Sequence, residues 1–540
     1  MAYAITRTCC NDASCVSVCP VNCIHPTPDE PDFGRTDMLY IDPAACIDCG
    51  ACADACPVDA VFPVDRLTGP DAVYAELNRD RYRDHPADHA WGAPVFPRSL
   101  PTGLDLGSGP LRVAIVGTGP SASYTAQALL RSTGAEVTMI DRLPVTGGLL
   151  RYGVAPDHQS TKRIAESFAS VFHDPRLRVH LNVEVGTDLG HAELAAHHHA
   201  VVYAVGAAAD RRLGVPGEDL PGSLPATTFV RWYNAEPTVP ADAVALSGGP
   251  GPGAERAVVI GNGNVAVDVA RILLTDPDRL AATDIADHAL AALRGSAVRE
   301  VVLVARRGPE HAAWSAPEFL ALTQLPGVDV VVDDHPEADA VPLLAGLPRE
   351  RLDGAAPPRP GRRIVLRFHA APTELLGDER SGRVTAVRLA GAGDLLRAAL
   401  VVRSIGHRGV PVPGLPFDDA TGTVPHLGGR VLDPATGRPL PGGYLVGWAK
   451  RGPSGGIGAN RACAEETVHA LLDDAVAGAL PVPAAGRKAF DRLVRTRRPD
   501  ALGLRHLRAI DRAERARGEA TGRPRVKLPT VPALLAAARR

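Results

Sequence analysis

The residues with the most evident chemistry are cysteines, because nine of the ten lie between Cys9 and Cys56. One run reads C-x2-C-x2-C-x3-C-P, and it is formed by Cys46, Cys49, Cys52, Cys56 and Pro57. A second run begins 37 residues earlier, has an acid at its second position, and is formed by Cys9, Asp12, Cys15, Cys19 and Pro20. Thiolates at this spacing surround an iron–sulfur cluster, and in two-cluster proteins the fourth cysteine of each run ligates the other cluster.

This crossed ligation predicts two metal sites, which we name by their thiols. The four-thiol site comprises Cys19, Cys46, Cys49 and Cys52 and would hold a [4Fe-4S] cluster. The three-thiol site comprises Cys9, Cys15 and Cys56 and would hold [3Fe-4S], or [4Fe-4S] with Asp12, Cys10 or solvent as fourth ligand. We expect Cys23 to be a buried free thiol. A zinc ribbon also uses paired C-x2-C elements, but it does not explain seven cysteines in crossed repeats.

A glycine-rich turn indicates a first dinucleotide site. Gly117, Gly119 and Ala122 form G-x-G-x-x-A between an apolar strand and a helical stretch. In that context the backbone N–H groups and the helix N-terminus face a pyrophosphate. The next strand ends at Asp141, whose carboxylate suits a ribose 2′-OH and would repel a 2′-phosphate. The first site is therefore predicted to take FAD or NAD.

A second turn of the same kind is followed by different chemistry. Gly261, Gly263 and Ala266 repeat the motif, but the next strand ends in Arg306 and Arg307. Two guanidinium groups at that position fit a 2′-phosphate through charge-assisted hydrogen bonds. The second site is therefore predicted to take NADP(H). Together with the cysteine runs, this predicts the electron order NADPH, flavin, cluster, because a flavin accepts a hydride and can release electrons singly.

The composition excludes several classes of protein. The chain has 540 residues with 61 acids and 58 bases, and its net charge of −3 argues against nucleic-acid binding. The longest apolar run, 200–209, has about ten residues, whereas a membrane helix needs about 18. The N-terminus has no basic segment followed by an apolar one, so we expect no secretory signal and a cytoplasmic location.

Charge is unevenly distributed along the chain. Residues 1–65 contain ten acids and two bases, which gives −8, whereas residues 487–540 contain 16 bases and 5 acids. Complementary charges orient electron-transfer partners. We therefore expect the basic tail to be either a solvated helical face or a docking surface for the acidic N-terminal segment.

The elements that must position these residues are strand, glycine turn and helix units, which indicate an α/β fold with parallel sheets. We divide the chain into an iron–sulfur domain (1–65), a linker (66–110), a first FAD-binding part (111–209), an NADP-binding domain (210–400), and a second FAD-binding part with the basic tail (401–540).

With these motifs assembled, the chain resembles the adrenodoxin-reductase-like ferredoxin–NADP reductases, in the actinobacterial form that carries a fused N-terminal seven-iron-type ferredoxin. The resemblance rests on the cysteine runs and on RYGVAPDH (151–158), GNGNVAVDVARILL (261–274), ARRGP (305–309) and GWAKRGPSGGIG (447–458). It implies two doubly wound dinucleotide-binding domains, the NADP domain inserted into the FAD domain, preceded by a small α+β bacterial ferredoxin domain. It also implies an enzyme in which NADPH reduces FAD, and FAD passes single electrons to the fused clusters or to an external ferredoxin, including one that serves a cytochrome P450.

The resemblance also implies the residues that contact each cofactor. Those for FAD are Gly117, Gly119, Ser121, Ala122, Asp141, Leu149, Val185, Trp448, Gly455, Gly456 and Ile457. Those for NADP are Asn262, Gly263, Asn264, Val265, Arg306, Arg307, Glu318 and Gly455. The family often has a second acid three residues after the one matched to Glu318, and this chain has Ala321 there.

No protein nucleophile or general base is required, so catalysis is expected to consist mainly of positioning. His158 either positions groups near the flavin or fixes its own loop by hydrogen bonds. Two other functions remain open at this point. One is a subunit resembling the small chain of glutamate synthase, which would need a large partner, and the other is an electron carrier whose nucleotide sites serve only assembly.

Overall fold

The structure is a computed structural model and describes residues 2–84, 109–248, 251, 253–390 and 394–539. It consists of a small N-terminal module followed by two large sheets flanked by helices. Within the described residues, no helix is both long and apolar enough to cross a membrane.

The N-terminal module, residues 2–84, is hereafter called the Cys-rich module. Its strands form two antiparallel ribbons, in which Tyr3–Ile5 pairs with Val61–Pro63 and Ile24–His25 pairs with Tyr40–Ile41. The strand before the first cysteine run therefore pairs with the strand after the second run. This pairing brings the two runs together although they are 37 residues apart.

The internal repeat of the cysteine runs is visible in the backbone. A 3-10 turn, Val16–Val18, ends at Cys19 with φ −76° and ψ 114°. A short helix, Ala51–Ala55, ends at Cys56 with φ −76° and ψ 115°. The fourth cysteine of each run thus leaves its turn in the same extended conformation, as crossed ligation requires.

Part of the predicted linker 66–110 is a structured portion of the Cys-rich module, so that prediction was wrong for residues 66–84. After two 3-10 turns, Val64–Arg66 and Gly69–Ala72, a helix spans Val73–Asp84. Its residues Tyr74, Asn78 and Tyr82 are spaced by four and form one helix face. The polar character of Asn78 hid this periodicity in the sequence. Residues 85–108 of the predicted linker lie outside the described residues.

Asn78 joins this helix to both ribbons. It is only 1 % exposed, and its Oδ1 accepts hydrogen bonds from the amides of Ile5 (3.1 Å) and Ile41 (2.8 Å). Its Nδ2 donates to the carbonyl oxygen of Ile5 at 2.8 Å. The Tyr82 hydroxyl donates to the carbonyl oxygen of Tyr40 at 2.7 Å. The helix is therefore hydrogen-bonded to strands of both ribbons.

We expect Asn78→Leu to open the ribbons of the Cys-rich module. The substitution leaves buried backbone groups of Ile5 and Ile41 without partners, at about 1–3 kcal/mol for each group. Deuterium uptake of peptides containing Ile5 and Ile41 should accelerate by about 100-fold. The control is Glu76→Leu, which changes an exposed residue of the same helix. Equal uptake in the two variants would contradict the assigned role of Asn78.

A seven-stranded sheet carries the first glycine turn. The order of its strands is His426–Leu427, Arg430–Leu432, Pro439–Leu445, Ala200–Tyr203, Arg112–Val116, Glu136–Asp141 and Leu177–Leu181. The last five strands in this order are parallel to one another. The first two extend one edge of the sheet through antiparallel pairing. The central strands are buried on both faces, which accounts for their continuous apolar sequences. Three strands come from beyond residue 400, so the second sheet is inserted within the first.

The second sheet is six-stranded, entirely parallel, and carries the second glycine turn. Its order is Ser223–Pro225, Leu400–Arg403, Arg256–Ile260, Glu300–Val304, Arg362–Arg367 and Val328–Val332. An antiparallel sheet packs beside it, formed by Pro372–Gly377, Val384–Leu389 and Leu395–Arg397. The expected fold class, two doubly wound domains with the second inserted, is confirmed.

The chain crosses between the two sheets through a small ribbon, Ala209–Asp210 with His407–Arg408. The strand Leu400–Arg403 belongs to the inserted sheet, so the boundary that we placed at residue 400 falls three residues too early. LVVR is a fully buried strand. Its apolar run could equally begin the second part of the FAD-binding domain, and this similarity explains the misplaced boundary.

Helices cover both sheets. Pro120–Ser132 and Asn264–Leu274 follow the glycine turns, and Ala459–Val476 packs against the former. The others are Leu149–Tyr152, Gln159–Lys162, Ile164–Ser167, Ala169–His173, His191–Ala195, Ala226–Tyr233, Pro277–Leu280, Asp287–Arg294, Ala316–Thr323, Trp448–Arg451, Arg487–Arg497, Leu504–Glu519 and Val531–Ala538, with 3-10 turns at Pro309–His311 and Pro336–Ala340.

The basic tail packs on the two dinucleotide-binding domains. Its side chains pair with acids of both: Arg487 with Glu136 (3.1 Å), Arg497 with Glu193 (2.7 Å), Arg523 with Asp287 (2.6 Å) and Lys527 with Asp284 (2.8 Å). These contacts differ from both expectations, because the tail is neither a purely solvated face nor directed at the Cys-rich module. The tail instead packs across both dinucleotide-binding domains.

Candidate functional site

The four thiols predicted for one cluster line a single cavity in the Cys-rich module. Cys19, Cys46, Cys49 and Cys52 all contribute to its wall. Cys49 is exposed and Cys52 is buried, so the cavity extends from the module surface inwards. The structure thus unites thiols that lie up to 33 residues apart in the sequence.

Cys23 also lines this cavity and changes the pKa of one of its thiols. It is buried, as expected, and its Sγ lies 3.5 Å from that of Cys19. The hydrogen bond from Cys23 lowers the pKa of Cys19 to about 6. The lowered pKa favours the thiolate form that a metal requires. The sequence predicted the burial of Cys23 but not this contact.

The three-thiol site is more deeply enclosed. Burial raises the pKa of Cys9 to about 12, and it also raises the pKa values of Cys15 and Cys56. The charge of Cys56 further raises the pKa values of Cys9 and Cys15, and the charge of Cys9 does the same to Cys15. The three thiols therefore lie close enough to repel one another when ionised, and a cationic cluster core between them would relieve the repulsion.

The acid that replaces the missing cysteine is engaged elsewhere. Both carboxylate oxygens of Asp12 accept hydrogen bonds from Ser14, one from its hydroxyl and one from its amide at 3.3 Å. The Arg461 guanidinium lies 4.0 Å from the same carboxylate. Cys10, the other candidate fourth ligand, is buried, and burial followed by the charge of Asp12 raises its pKa. Asp12 therefore has partners in Ser14 and Arg461, although its charge also raises the pKa values of Cys9, Cys15 and Cys56.

The first glycine turn has the close backbone approach that its sequence predicts. Gly117 has φ 114°, and a Cβ there would lie 2.5 Å from the Ala204 carbonyl oxygen. Asp141 lies beside this turn, where its carboxylate accepts hydrogen bonds from the Thr118 hydroxyl (2.5 Å) and the Leu143 amide (2.9 Å). Burial raises the pKa of Asp141. The acid predicted to contact a ribose is thus held beside the first glycine turn.

A residue that the sequence reasoning missed, Asn460, joins the two parts of the predicted FAD site. Its Oδ1 accepts a hydrogen bond from the Ser121 hydroxyl at 2.7 Å. Its Nδ2 donates to the carbonyl oxygens of Gly456 (3.2 Å) and Ile457 (3.1 Å). Helix Pro120–Ser132 and residues 455–458, which we call the C-terminal glycine loop, therefore meet at Asn460. An asparagine two residues beyond the GGIG motif was the available signal.

Other members of the predicted FAD set lie around this junction. Gly119 approaches Gly148, where a Cβ would lie 3.0 Å from the Gly119 Cα, and Leu149 begins the next helix with 39 % exposure. The half-buried Trp448 has its ring 5.3 Å from that of His407. The remaining residues are the fully buried Ala122 and the half-buried Val185. Val185 lies two residues after Val183, whose amide donates a hydrogen bond to the Asp141 carbonyl oxygen.

Gly455 is placed differently from the rest of the set. It lies beside Ala459 and Gly34, since a Cβ on Gly455 would be 2.7 Å from the Ala459 Cβ and 3.5 Å from the Gly34 carbonyl oxygen. A groove of about 770 Å³ opens here between the Cys-rich module and helix Ala459–Val476. We call it the flavin-side groove; its walls include Asp12, Gly455, Arg461, Glu465, Glu466 and Asp473.

The second glycine turn is tied to the segment that carries Glu318. The Asn262 carbonyl oxygen accepts from the Ala313 amide (3.1 Å), and Asn264 Oδ1 accepts from the Ser315 amide (2.7 Å). Gly263 forms a parallel bridge with Ala313, and Val265 follows in the helix. Ser315 then caps helix Ala316–Thr323, whose first turn contains Glu318. These residues of the predicted NADP site are therefore brought together.

Arg306 and Arg307 lie at the carboxyl end of strand Glu300–Val304 and are both exposed. Among the described residues, neither side chain has an ion-pair or hydrogen-bond partner. Two guanidinium groups left in solvent beside a dinucleotide turn are suited to a phosphate.

At the junction of the two domains, His158 faces Glu318 with 3.7 Å between Nε2 and Oε2. Burial lowers the pKa of His158, although the Glu318 charge opposes this. Asp268 joins them within 4.8 Å, and Arg271 forms ion pairs with both Asp157 and Asp268. Asp268 and Arg271 were not predicted. Their signal was the presence of two charged residues in the otherwise apolar helix Asn264–Leu274.

Comparisons with known proteins agree with this geometry. The pyridine nucleotide-disulphide oxidoreductase family matches residues 111–308, and the 4Fe-4S binding domain matches residues 39–62. The probable ferredoxin/ferredoxin–NADP reductase of Mycobacterium tuberculosis is 51 % identical over 558 residues, covering 100 % of this chain and 95 % of the relative. This chain belongs to the ferredoxin/ferredoxin–NADP reductase family.

Further members relate to the reductase part of this family. The mitochondrial NADPH:adrenodoxin oxidoreductase of Arabidopsis thaliana is 38 % identical and covers 80 % of this chain and 96 % of its own length. The solved structure of Mycobacterium tuberculosis FprA in complex with NADPH has 43 % identity and a TM-score of 0.70, covering 80 % of this chain and all of that one. The family that the sequence resembled is confirmed.

Proposed function

We propose that this chain is an FAD-dependent ferredoxin–NADP(+) reductase that delivers electrons from NADPH to its own Cys-rich module. One observation carries the proposal. The Gly458 amide, at the end of the C-terminal glycine loop, donates a hydrogen bond of 2.7 Å to the carbonyl oxygen of Cys10, next to the three-thiol site. The loop predicted to contact the flavin and the segment predicted to hold a cluster are thus in direct contact. When bound, FAD supplies the exchange of a hydride for single electrons.

The chain's own residues bind and position the reactants. Glycines at 117, 148 and 447 let neighbouring segments of the site pack closely: a Cβ on Gly447 would overlap the Ser121 hydroxyl. We propose that the FAD and NADP sets named above hold the two dinucleotides, with Asp141 on the FAD ribose and Arg306 and Arg307 on the NADP 2′-phosphate. His158 and Glu318 orient groups at the domain junction.

We propose a [4Fe-4S] cluster on the four-thiol site and a [3Fe-4S] cluster on the three-thiol site. The second assignment is supported by Asp12, whose carboxylate is occupied by Ser14 and lies near Arg461. Oxidised protein should therefore show an EPR signal near g = 2 before any reductant is added, with about one spin per molecule. An EPR-silent oxidised protein with full iron content would instead indicate a fourth ligand at the three-thiol site.

The function is tested by anaerobic titration of the purified protein with NADPH, followed by flavin absorbance and low-temperature EPR. If the proposal is correct, cluster signals change as the flavin absorbance bleaches. If the flavin bleaches while the clusters remain oxidised, the reductase does not use its own module. NADPH that leaves both unchanged would exclude the reductase function altogether.

The nucleotide preference gives a separate prediction. We expect Arg306→Ala with Arg307→Ala to raise the Kd for NADPH by about 100-fold, because charge-assisted hydrogen bonds contribute about 1.5–3 kcal/mol each. The Kd for NADH, which lacks the 2′-phosphate, should stay unchanged. Arg380→Ala, a change at another exposed arginine, is the control. Equal weakening of NADPH and NADH would contradict the assignment, and flavin fluorescence or calorimetry measures both Kd values for the unaltered protein and for each variant.

We propose NADPH as the donor and a separate one-electron protein as the final acceptor, which includes a ferredoxin that serves a cytochrome P450. The proposed location is the cytoplasm, where thiols stay reduced and clustered cysteines bind metal instead of forming disulfides.

A further inference from the structure

One side of the Cys-rich module is covered by the reductase. Besides the bond between Gly458 and Cys10, Arg461 Nη1 donates to the Asp12 carbonyl oxygen (3.0 Å) and the Ser14 hydroxyl (3.2 Å). A Cβ on Gly458 would overlap the Asn11 carbonyl oxygen. The backbone around the three-thiol site is therefore in van der Waals contact with the C-terminal glycine loop.

Further contacts extend this interface between the Cys-rich module and the reductase. Asp59 pairs with Arg163 of the FAD domain (2.9 Å), and Asp37 accepts a hydrogen bond from the Ala316 amide of the NADP domain (2.8 Å). Apolar residues of the Cys-rich module and of the FAD domain belong to one continuous core, against which Ile457 also packs. A free protein could not occupy the same place without displacing the module.

The four-thiol site lies on an open part of the module. Ile47, between two of its thiols, is 57 % exposed, and Cys49 is exposed as well. Asp48 and Asp54 are exposed beside them. We call these four residues the acceptor face. The face combines an apolar centre with acidic neighbours, in a module whose first 65 residues carry a net charge of −8.

We propose that the acceptor face, and not the flavin side of the reductase, is where an external one-electron acceptor protein with a basic surface docks. This proposal rests on the proposed function, since it concerns the electrons that the reductase supplies. An exposed apolar centre with charged surroundings is typical of transient interfaces, and complementary charge orients the encounter. The acceptor therefore meets the four-thiol site, because the fused module already covers the reductase.

Cross-linking tests the docking position without catalysis. Oxidised full-length protein is mixed with oxidised cytochrome c, a small basic haem protein, and treated with a carbodiimide that joins lysines to adjacent carboxylates. We expect cross-links to Asp48 and Asp54. Cross-links concentrated on Glu465, Glu466 and Asp473 would place the acceptor at the flavin-side groove and overturn the proposal.

A matched pair of charge reversals gives a kinetic test. At low ionic strength, Asp54→Lys should raise the KM for cytochrome c by about tenfold in NADPH-dependent reduction. Asp473→Lys, the same change at the flavin-side groove, should leave this KM unchanged. The opposite pattern would overturn the proposal.

Ferricyanide separates this proposal from the proposed function. It is a small anion that can take electrons from a reduced flavin directly, and both variants should reduce it at the unaltered rate. If the unaltered protein does not reduce ferricyanide with NADPH, the proposed reductase function fails. If ferricyanide is reduced normally but cytochrome c is insensitive to Asp54→Lys, only the docking proposal fails.

Discussion

Replacement of Gly458 by valine should disconnect the Cys-rich module from the reductase. The expected result is a loss of NADPH-driven cluster reduction by about 100-fold or more, because small misplacements of reacting groups have effects of this size. The backbone of Gly458 is helical (φ −67°, ψ −34°) and accepts any side chain. A Cβ there would overlap the Asn11 carbonyl group and the Asp12 amide nitrogen. Stopped-flow absorbance with EPR of quenched samples measures the rate.

The control for this substitution is Gly134→Val, because a Cβ at Gly134 meets open space. Flavin content is determined for both variants, so that loss of the cofactor is recognised. Dithionite should still reduce the clusters of the Gly458 variant, because the thiol sites themselves are unchanged. Normal NADPH-driven cluster reduction in this variant would show that the contact between Gly458 and Cys10 is not on the electron route.

Replacement of Glu514 by alanine should greatly lower the free energy of unfolding. Glu514 is fully buried in helix Leu504–Glu519, and its carboxylate accepts hydrogen bonds from Arg151 (2.5 and 2.7 Å), Arg525 (3.2 Å) and the Leu528 amide (3.0 Å). Removing one partner of a buried ion pair costs about 3–5 kcal/mol. Calorimetry should show an earlier unfolding transition, whereas Glu519→Ala, at an exposed position of the same helix, should not.

The same residue gives a pH dependence. Arg151 is the principal group that lowers the pKa of Glu514 below its ordinary value of 4.5, against the effect of burial. A lowered pKa in the folded state stabilises the protein above pH 4.5, and this stabilisation is lost as the pH falls through the folded pKa. The difference in unfolding free energy between the unaltered protein and Glu514→Ala should therefore be full at neutral pH and smaller below pH 4. A difference that grew on acidification would contradict this assignment.

Local patterns were sufficient to predict that four cysteines line one cavity and that each glycine turn joins a strand to a helix. Cysteine spacing and the sequence strand–GxGxxA–helix are short-range features, and each specifies one supersecondary unit. Strand boundaries were less certain, as the strand Leu400–Arg403 shows, because a buried parallel strand has no alternation to mark its domain.

Contacts between distant segments could not be predicted. Asn460 and Asn78 are single polar residues whose roles depend on partners 339 and up to 73 positions away. We expected the tail to be a solvated face or to dock on the acidic segment, yet its basic side chains pair with acids of the two dinucleotide-binding domains. Net charge describes long-range attraction, whereas the position of a helix is decided by close packing and by pairing of its buried groups.

The interface at Gly458 also affects how the enzyme responds to dilution. Two separate proteins must meet by diffusion, so their electron transfer slows as both become scarce. A partner that is covalently linked and already seated has a high effective concentration, which depends only on geometry. The internal step should therefore proceed at the same rate per molecule at nanomolar and micromolar enzyme. In this chain, scarcity limits only the encounter with the outside acceptor.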